Sequence, residues 1–320
     1  MTARSALFIR FLRPLLALSL VLLAGAPAAA QDAATLRIGF QKYGTLTILK
    51  ALGTLDKKLA EQGIAVKWIE FPAGPQLLEG LNVGSIDFGT VGEAPPIFAQ
   101  AAGAPLVYVG NEPPAPDSEA ILVPKDSPIR SVAQLKGKKV ALNKGSNVHY
   151  LLIRHLEQAG VSYRDVTVAY LTPADARAAF ERGAVDAWVI WDPFQAAAER
   201  QLGARVLADG QGLVNNYQFF LASRSYYERH PDIVKTLLEE TRKGDLWARD
   251  NPQAAVDLLQ PVLGLERPVV ELAARRLAYG VVPVTREVLA HQQEVADAFY
   301  ALKLIPRKLD VQQAAPAGLQ

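Results

Sequence analysis

The residues of this chain whose types and spacing lend themselves to chemistry sit in short polar turns. In the segment VALNKGSNVHYLLIRHL, residues 140–156, Val140 and Leu142 read as the end of a buried strand. Asn143-Lys144-Gly145-Ser146-Asn147 is a polar turn, and Val148, Leu152, Leu156 and Ala159 then recur at helical spacing. A strand that turns tightly into a helix leaves the first helical N–H groups unpaired and pointing into the turn. With the helix dipole behind them, those donors form an anion seat. Ser146 and Asn147 are good cap residues that can add side-chain donors. Gly145 permits close backbone approach. An ordinary capped helix has the same signature, so recurrence is what gives the turn weight.

The same design recurs. Ile38, Phe40, Gln41, Lys42, Thr45 and Leu46 match Val140, Leu142, Asn143, Lys144, Asn147 and Val148 at one constant offset. Gly84, Ile86, Asp87 and Glu93 match Gly183, Val185, Asp186 and Asp192 at another. Fixed-offset similarity is the mark of a duplicated unit. Ligands of open parallel sheets bind beyond the carboxyl ends of strands. Two facing lobes would therefore bring four corners to one cleft: Tyr43-Gly44-Thr45, Gly92-Glu93-Ala94, Gly145-Ser146-Asn147 and Trp191-Asp192-Pro193. Four helix N-termini around one cavity favour a small anion, each contributing about 0.3–1 kcal/mol.

The elements that must position these turns follow from periodicity. Alternating strands and helices fill residues 36–110, a stiff Pro113-Pro114-Ala115-Pro116 connector follows, and a second alternating series runs to residue 202. A helix from Thr45, as its cap, to about Gln62 is expected, as is a return strand at Phe219 to Ala222. From Tyr226 on the chain reads as helical. Alternation of this kind predicts parallel α/β sheets, and two series joined by a Pro-rich segment predict two lobes.

The first thirty residues stand apart. Arg4, Arg10 and Arg13 precede the apolar Leu15 to Ala24, and Ala28-Ala29-Ala30 offers a small-residue cleavage site, which together read as a secretory signal peptide. Removing it takes three arginines and no acid from 34 basic and 32 acidic residues, leaving a net charge of about −1. That balance speaks against a nucleic-acid partner. The chain has no Cys, which excludes disulfides, thiol chemistry and a lipid-anchored start. His149, His155, His230 and His291 lack metal-ligand spacing, and no nucleophile elbow, phosphate loop or dinucleotide fingerprint occurs. No catalytic residues, metal or cofactor are expected.

FQKYGTL (40–46), EFPAGPQLLEGLNVGSIDFGTVGEAPP (70–96), ALNKGSNVHYLL (141–152) and PADARAAFERGAVDAWVIWDP (173–193) together resemble the periplasmic solute-binding proteins of ABC importers for aliphatic sulfonates, a family related to thiamine-precursor binders. The resemblance implies a two-lobe type II periplasmic-binding-protein fold, each lobe a mixed sheet flanked by helices. With the leader and the polar, Ala- and Gln-rich tail read from the residues themselves, the chain divides into a signal peptide over 1–30, a first lobe over 31–115 and 222–310, a second over 116–221, and a disordered tail over 311–320. The resemblance also implies capture of an alkanesulfonate for sulfur acquisition, handed to the transmembrane subunits of an ABC permease by a monomer exported to the periplasm through the Sec pathway. Taurine, nitrate, bicarbonate or a thiamine precursor stay open as cargo. A thiamine-pyrimidine synthesis enzyme of the same fold is the remaining alternative, against which the export signal speaks.

Carried onto the matching turns, the resemblance makes Ser146, Asn147 and the Val148 N–H donors to sulfonate oxygens, with Gly44, Thr45 and Gln41 facing them. Tyr43 and Trp191 would wall the alkyl part, and Gly92, Glu93, Gly145 and Asp192 complete the turns. Lys42 and Lys144 are expected at the rim as steering charges. Glu93 would repel a sulfonate, so its expected work is to hold a helix start, bond across the cleft or meet a polar group at the ligand's far end. Asp87 and Asp186 read as turn organisers, Phe194 as core, Asn215, Asn216 and Tyr217 as hinge or cleft, and Arg275-Arg276 as a solvated helix face.

Overall fold

Apolar alternation places the first strand, β1 (Ala34–Phe40), with Leu36 and Ile38 fully buried. In the computed structural model the described residues run from Ala34 to Leu319, so the signal-peptide expectation falls outside them. After β1 come α1 (Thr45–Leu52), α2 (Thr54–Ala60), β2 (Ile64–Glu70), α3 (Gly74–Asn82), β3 (Phe88–Gly92), α4 (Ala94–Ala101) and β4 (Leu106–Asn111). The second series is β5 (Glu119–Val123), β6 (Lys139–Leu142), α5 (Asn147–Gln158), β7 (Thr167–Tyr170), α6 (Pro173–Glu181), β8 (Ala187–Trp191), α7 (Phe194–Gln201) and β9 (Arg205–Asp209). The chain then returns through β10 (Gln218–Ser223) to α8 (Arg224–Arg229), α9 (Pro231–Asp250), α10 (Pro252–Leu263), α11 (Arg267–Arg276) and α12 (Arg286–Ala301).

The strands form two five-stranded sheets, ordered β2-β1-β3-β10-β4 and β7-β6-β8-β5-β9. In the first, β1 runs parallel to β2 and β3 while β10 is antiparallel to β3 and β4. In the second, β6 runs parallel to β7 and β8 while β5 is antiparallel to β8 and β9. The two mixed sheets repeat one pattern, as the duplicated sequence requires. The paired acids do the same work in each: Asp87 accepts from the Arg37 N–H at 2.9 Å, and Asp186 accepts from the Lys139 N–H at 2.7 Å. Asp87 clamps the middle of β1, and Asp186 the start of β6, to the turn that feeds the neighbouring strand. The chain passes between the sheets through residues 112–118 and back through 210–217.

Several expectations change. The single helix over 45–62 is broken at Gly53, whose φ of 65° ends α1 and starts α2. Thr45 is the first helical residue of α1 rather than its cap; Gly44 holds the cap position. Strand β9 was not expected, because its half-buried edge sequence RVLAD lacks clear alternation. The tail is not frayed at 311–314: Val311 and Ala314 are buried in a 3-10 turn, and the Arg224 guanidinium donates to the Gln313 carbonyl at 2.8 Å. Among the described residues, no helix is long and apolar enough to cross a membrane.

Candidate functional site

A small cavity of about 20 Å³ lies between the sheets, lined by Gln41, Tyr43, Gly74, Gly92, Pro95, Ser146, Asn147, Trp191 and Gln218. Six of these were expected: Gln41, Tyr43, Gly92, Ser146, Asn147 and Trp191. Gly44, Thr45, Glu93, Gly145, Val148 and Asp192 stand behind that lining and shape it. Gly74, Pro95 and Gln218 were missed. Gln218 had a legible signal, an amide opening the otherwise apolar strand QFFLAS. It pairs directly across from Gly92, and its carboxamide has no hydrogen-bond partner among the described residues.

The four corners are not equivalent. At α5 the groups bonded to the cap are all uncharged. The Ser146 hydroxyl donates to the Asn143 carbonyl at 2.6 Å, and the Gly145 N–H donates to Nδ1 of His149 at 3.3 Å. With Nδ1 accepting, the proton of His149 sits on Nε2 and is given to the Tyr163 hydroxyl at 2.7 Å. Burial first, and the Lys144 charge second, push His149 down to about 3, so it is uncharged at neutral pH. The Asn147 and Val148 N–H groups find no acceptor among the described residues and remain available. Gly145 has φ 75° and lies against Phe98, where a Cβ would press 3.2 Å from the ring.

Each of the other three corners carries a buried acid. At α1 the Thr45 hydroxyl donates to Glu112 at 2.6 Å, so Thr45 faces inward rather than into the cavity. Asp245 shares that hydroxyl and accepts from the N–H groups of Gly280 and Val281. Burial raises both carboxyls, and Asp245 raises Glu112 further. At α4, Pro95 and Pro96 remove two N–H donors from the first turn, and Glu93 accepts from the Tyr217 N–H at 3.1 Å. Burial lifts Glu93 to about 7. Its neighbour Glu119 is fully buried with neither oxygen paired, and burial followed by the Glu93 charge raises it well above the usual carboxylate range. At α7, Asp192 accepts from the Ala196 N–H at 2.9 Å, next to the cis peptide joining it to Pro193.

The lobes also touch directly. The Asn147 carboxamide accepts from the Ala94 N–H at 3.4 Å and donates to Asn216. A Cβ on Gly92 would overlap it, so only glycine leaves room there. Asn216 in turn donates to the Ala115 carbonyl at 2.8 Å and to the Ser118 hydroxyl at 3.0 Å, joining the two crossing segments. Arg276 is not a solvated face: its side chain is 15% exposed and reaches Asp192 at 3.4 Å and Glu199 at 2.8 Å. Lys42 and Lys144 do not line this cavity; Lys42 lies near Glu70 and Lys144 over the Tyr170 ring. Among the described residues no cluster could hold a metal ion.

The chain matches known proteins over most of its length. A family model described as NMT1/THI5 like matches residues 59–255. A protein of Escherichia coli (strain K12) described as aliphatic sulfonates-binding is 49% identical over 290 residues, 90% of each chain. The alkanesulfonate-binding protein SsuA from Xanthomonas axonopodis pv. citri, solved bound to MOPS, superposes with a TM-score of 0.84 at 44% identity, covering 88% of this chain and 98% of that one. The periplasmic aliphatic sulphonate binding protein SsuA from Escherichia coli superposes with a TM-score of 0.80 at 47% identity, covering 89% and 94%. Shared sequence, shared fold and the matched family model lead to one conclusion: this chain belongs to the NMT1/THI5-like family.

Proposed function

We propose that this protein is the periplasmic solute-binding component of an ABC importer, a monomer that captures aliphatic sulfonates and delivers them to membrane permease subunits. The single observation that carries the reading is the α5 corner, its bonded groups uncharged, with two unpaired main-chain donors beside the cavity. A sulfonate is permanently charged and has no proton to give, so its seat needs donors only. Hydrogen bonds to a charged group contribute about 1.5–3 kcal/mol each. Gln41, Gln218 and Trp191 add side-chain donors around the same space. The guests of the relatives point the same way, since MOPS is itself a propanesulfonate on a morpholine ring.

On this reading residues 1–30 direct export through the Sec pathway and are then removed. Residues 31–115 with 222–310 make one lobe and 116–221 the other, and ligand capture shifts the population toward the closed arrangement about the crossing segments. Binding is non-covalent throughout, and no nucleic acid takes part. Thermal shift against a ligand panel tests the proposal. At about a hundredfold excess over Kd a bound ligand stabilises by about 2.7 kcal/mol. Butane- or pentanesulfonate raises the melting temperature and nitrate does not; equal shifts, or a shift with taurine alone, would remove the alkanesulfonate assignment.

A further inference from the structure

A second cavity, also about 20 Å³, shares Tyr43 with the central one. Where the first is lined by amides and an indole, the second is lined mostly by hydrocarbon, with Lys42 and Thr47 at its edge. Pro193 comes from the α7 corner, Leu259 and Leu263 from α10, and Val270, Ala274 and Leu277 from α11 and its end. Gly44 leaves this space open, because no protein atom lies within 4 Å of where its Cβ would stand. The Thr47 hydroxyl at its edge is already given to the Gln41 and Tyr43 carbonyls, at 2.9 and 3.2 Å.

We propose that this apolar chamber takes the hydrocarbon tail of a sulfonate whose head group is held in the central cavity, and that it sets chain-length selectivity. The inference rests on the sulfonate reading and deepens it. A tail leaving the head-group seat has two directions. Toward Asn216 it meets the Asn147 bridge and the buried Glu93 and Glu119 carboxyls, where methylenes gain nothing. Past Tyr43 it meets aliphatic side chains. The Tyr43 hydroxyl is held 3.3 Å from the Ser118 hydroxyl, which fixes the ring as the wall between the two spaces. The chamber is tight, but Leu263 and Leu277 are only half-buried and can change rotamer to lengthen it. Of the residues lining the chamber only Lys42 is charged, and its ammonium lies 3.7 Å from Glu70.

Calorimetric titration of methane-, butane- and octanesulfonate into the wild type, Ala274→Leu and Leu263→Ala tests this. Each methylene accommodated raises affinity about fourfold in the wild type. Ala274→Leu fills the chamber, so methanesulfonate binds within about twofold of wild type while butanesulfonate weakens about tenfold. Leu263→Ala widens it and moves the preference toward octanesulfonate. Opposite shifts in the two variants do not arise from misfolding. Equal chain-length dependence in all three proteins, or an Ala274→Leu loss that is the same for every tail, overturns the chamber and leaves the sulfonate reading standing. A wild type that binds none of the three overturns both.

Discussion

Replacing Glu93 by Gln is the perturbation that tests most directly how the cleft handles its buried acids. Burial lifts the Glu93 carboxyl from 4.5 to about 7 against the opposing pull of the Tyr217 and Asn216 N–H groups. Below 4.5 the native and unfolded chains both carry the proton. Between 4.5 and 7 the unfolded carboxyl ionises while the native one does not, so stability falls as pH rises through this window. Above it the loss is complete, at about 3 kcal/mol. Glutamine ionises in neither state, and its side-chain oxygen still accepts from the Tyr217 N–H.

The stability difference between Glu93→Gln and wild type should therefore grow in the variant's favour from pH 4.5 to 7 and then level off. Urea unfolding at a series of pH values reads it, and the difference between the curves reports Glu93 together with the part of the Glu119 shift that the Glu93 charge causes. Asp245 contributes its own pH dependence to both proteins. Tyr150 and Tyr217, which also face Glu93, are raised from their usual value and stay protonated across the window. Curves that run parallel would refute the assignment of a proton to native Glu93, and with it the account of the α4 corner.

Two further substitutions probe the contacts between the lobes. Gly92→Ala drives a methyl into the Asn147 carboxamide, so closure is disfavoured and ligand affinity falls about tenfold; small-angle scattering should show a larger particle, and adding Asn147→Ala should restore closure, whereas wild-type affinity in Gly92→Ala would exclude the steric account. Arg276→Met strips Asp192 of its cation, and destabilises by about 1–3 kcal/mol above pH 7, the cost of a buried acceptor left without its donor. The loss should shrink below pH 7 as Asp192, already raised to about 7, takes a proton instead; a pH-independent loss measured by urea unfolding would assign Arg276 a packing role only.

The turns were legible because duplication wrote them twice, and because Gly, Ser and Asn before an apolar helical period have a direct conformational meaning. Strands β1, β3, β6, β8 and β10 were legible from runs of buried apolar residues. What escaped was long-range pairing. Thr45 and Glu112 are 67 residues apart, and Arg276 and Asp192 are 84 apart, so no local pattern couples them. Glu119 opens the apolar strand EAILV, and a lone acid there was a signal of burial that periodicity alone passes over. Residue type marked Thr45 as a cap, but the helix began one residue earlier and its hydroxyl went to Glu112.

Duplication builds four corners, yet four equal anion seats around one cleft would hold a guest in no single orientation. The acids break the tie, and α7 shows which force decides the outcome. The helix N-terminus contributes about 0.3–1 kcal/mol toward an anion at Asp192. The Ala196 N–H and Arg276 add to that, and still burial outweighs all three and lifts the carboxyl to about 7. A corner acid of this kind puts the protein's own acceptor at the helix start, where it takes the Ala196 N–H and opposes a second anion. At α4 two prolines remove donors outright. At α5 no acid stands at the cap: a histidine, held uncharged by burial, takes the Gly145 N–H and leaves the Asn147 and Val148 donors open. Polarity along the cleft thus comes from unequal corners: acids stand at α1, α4 and α7 and prolines thin the donors at α4, while α5 presents its first N–H groups with no acid at its cap.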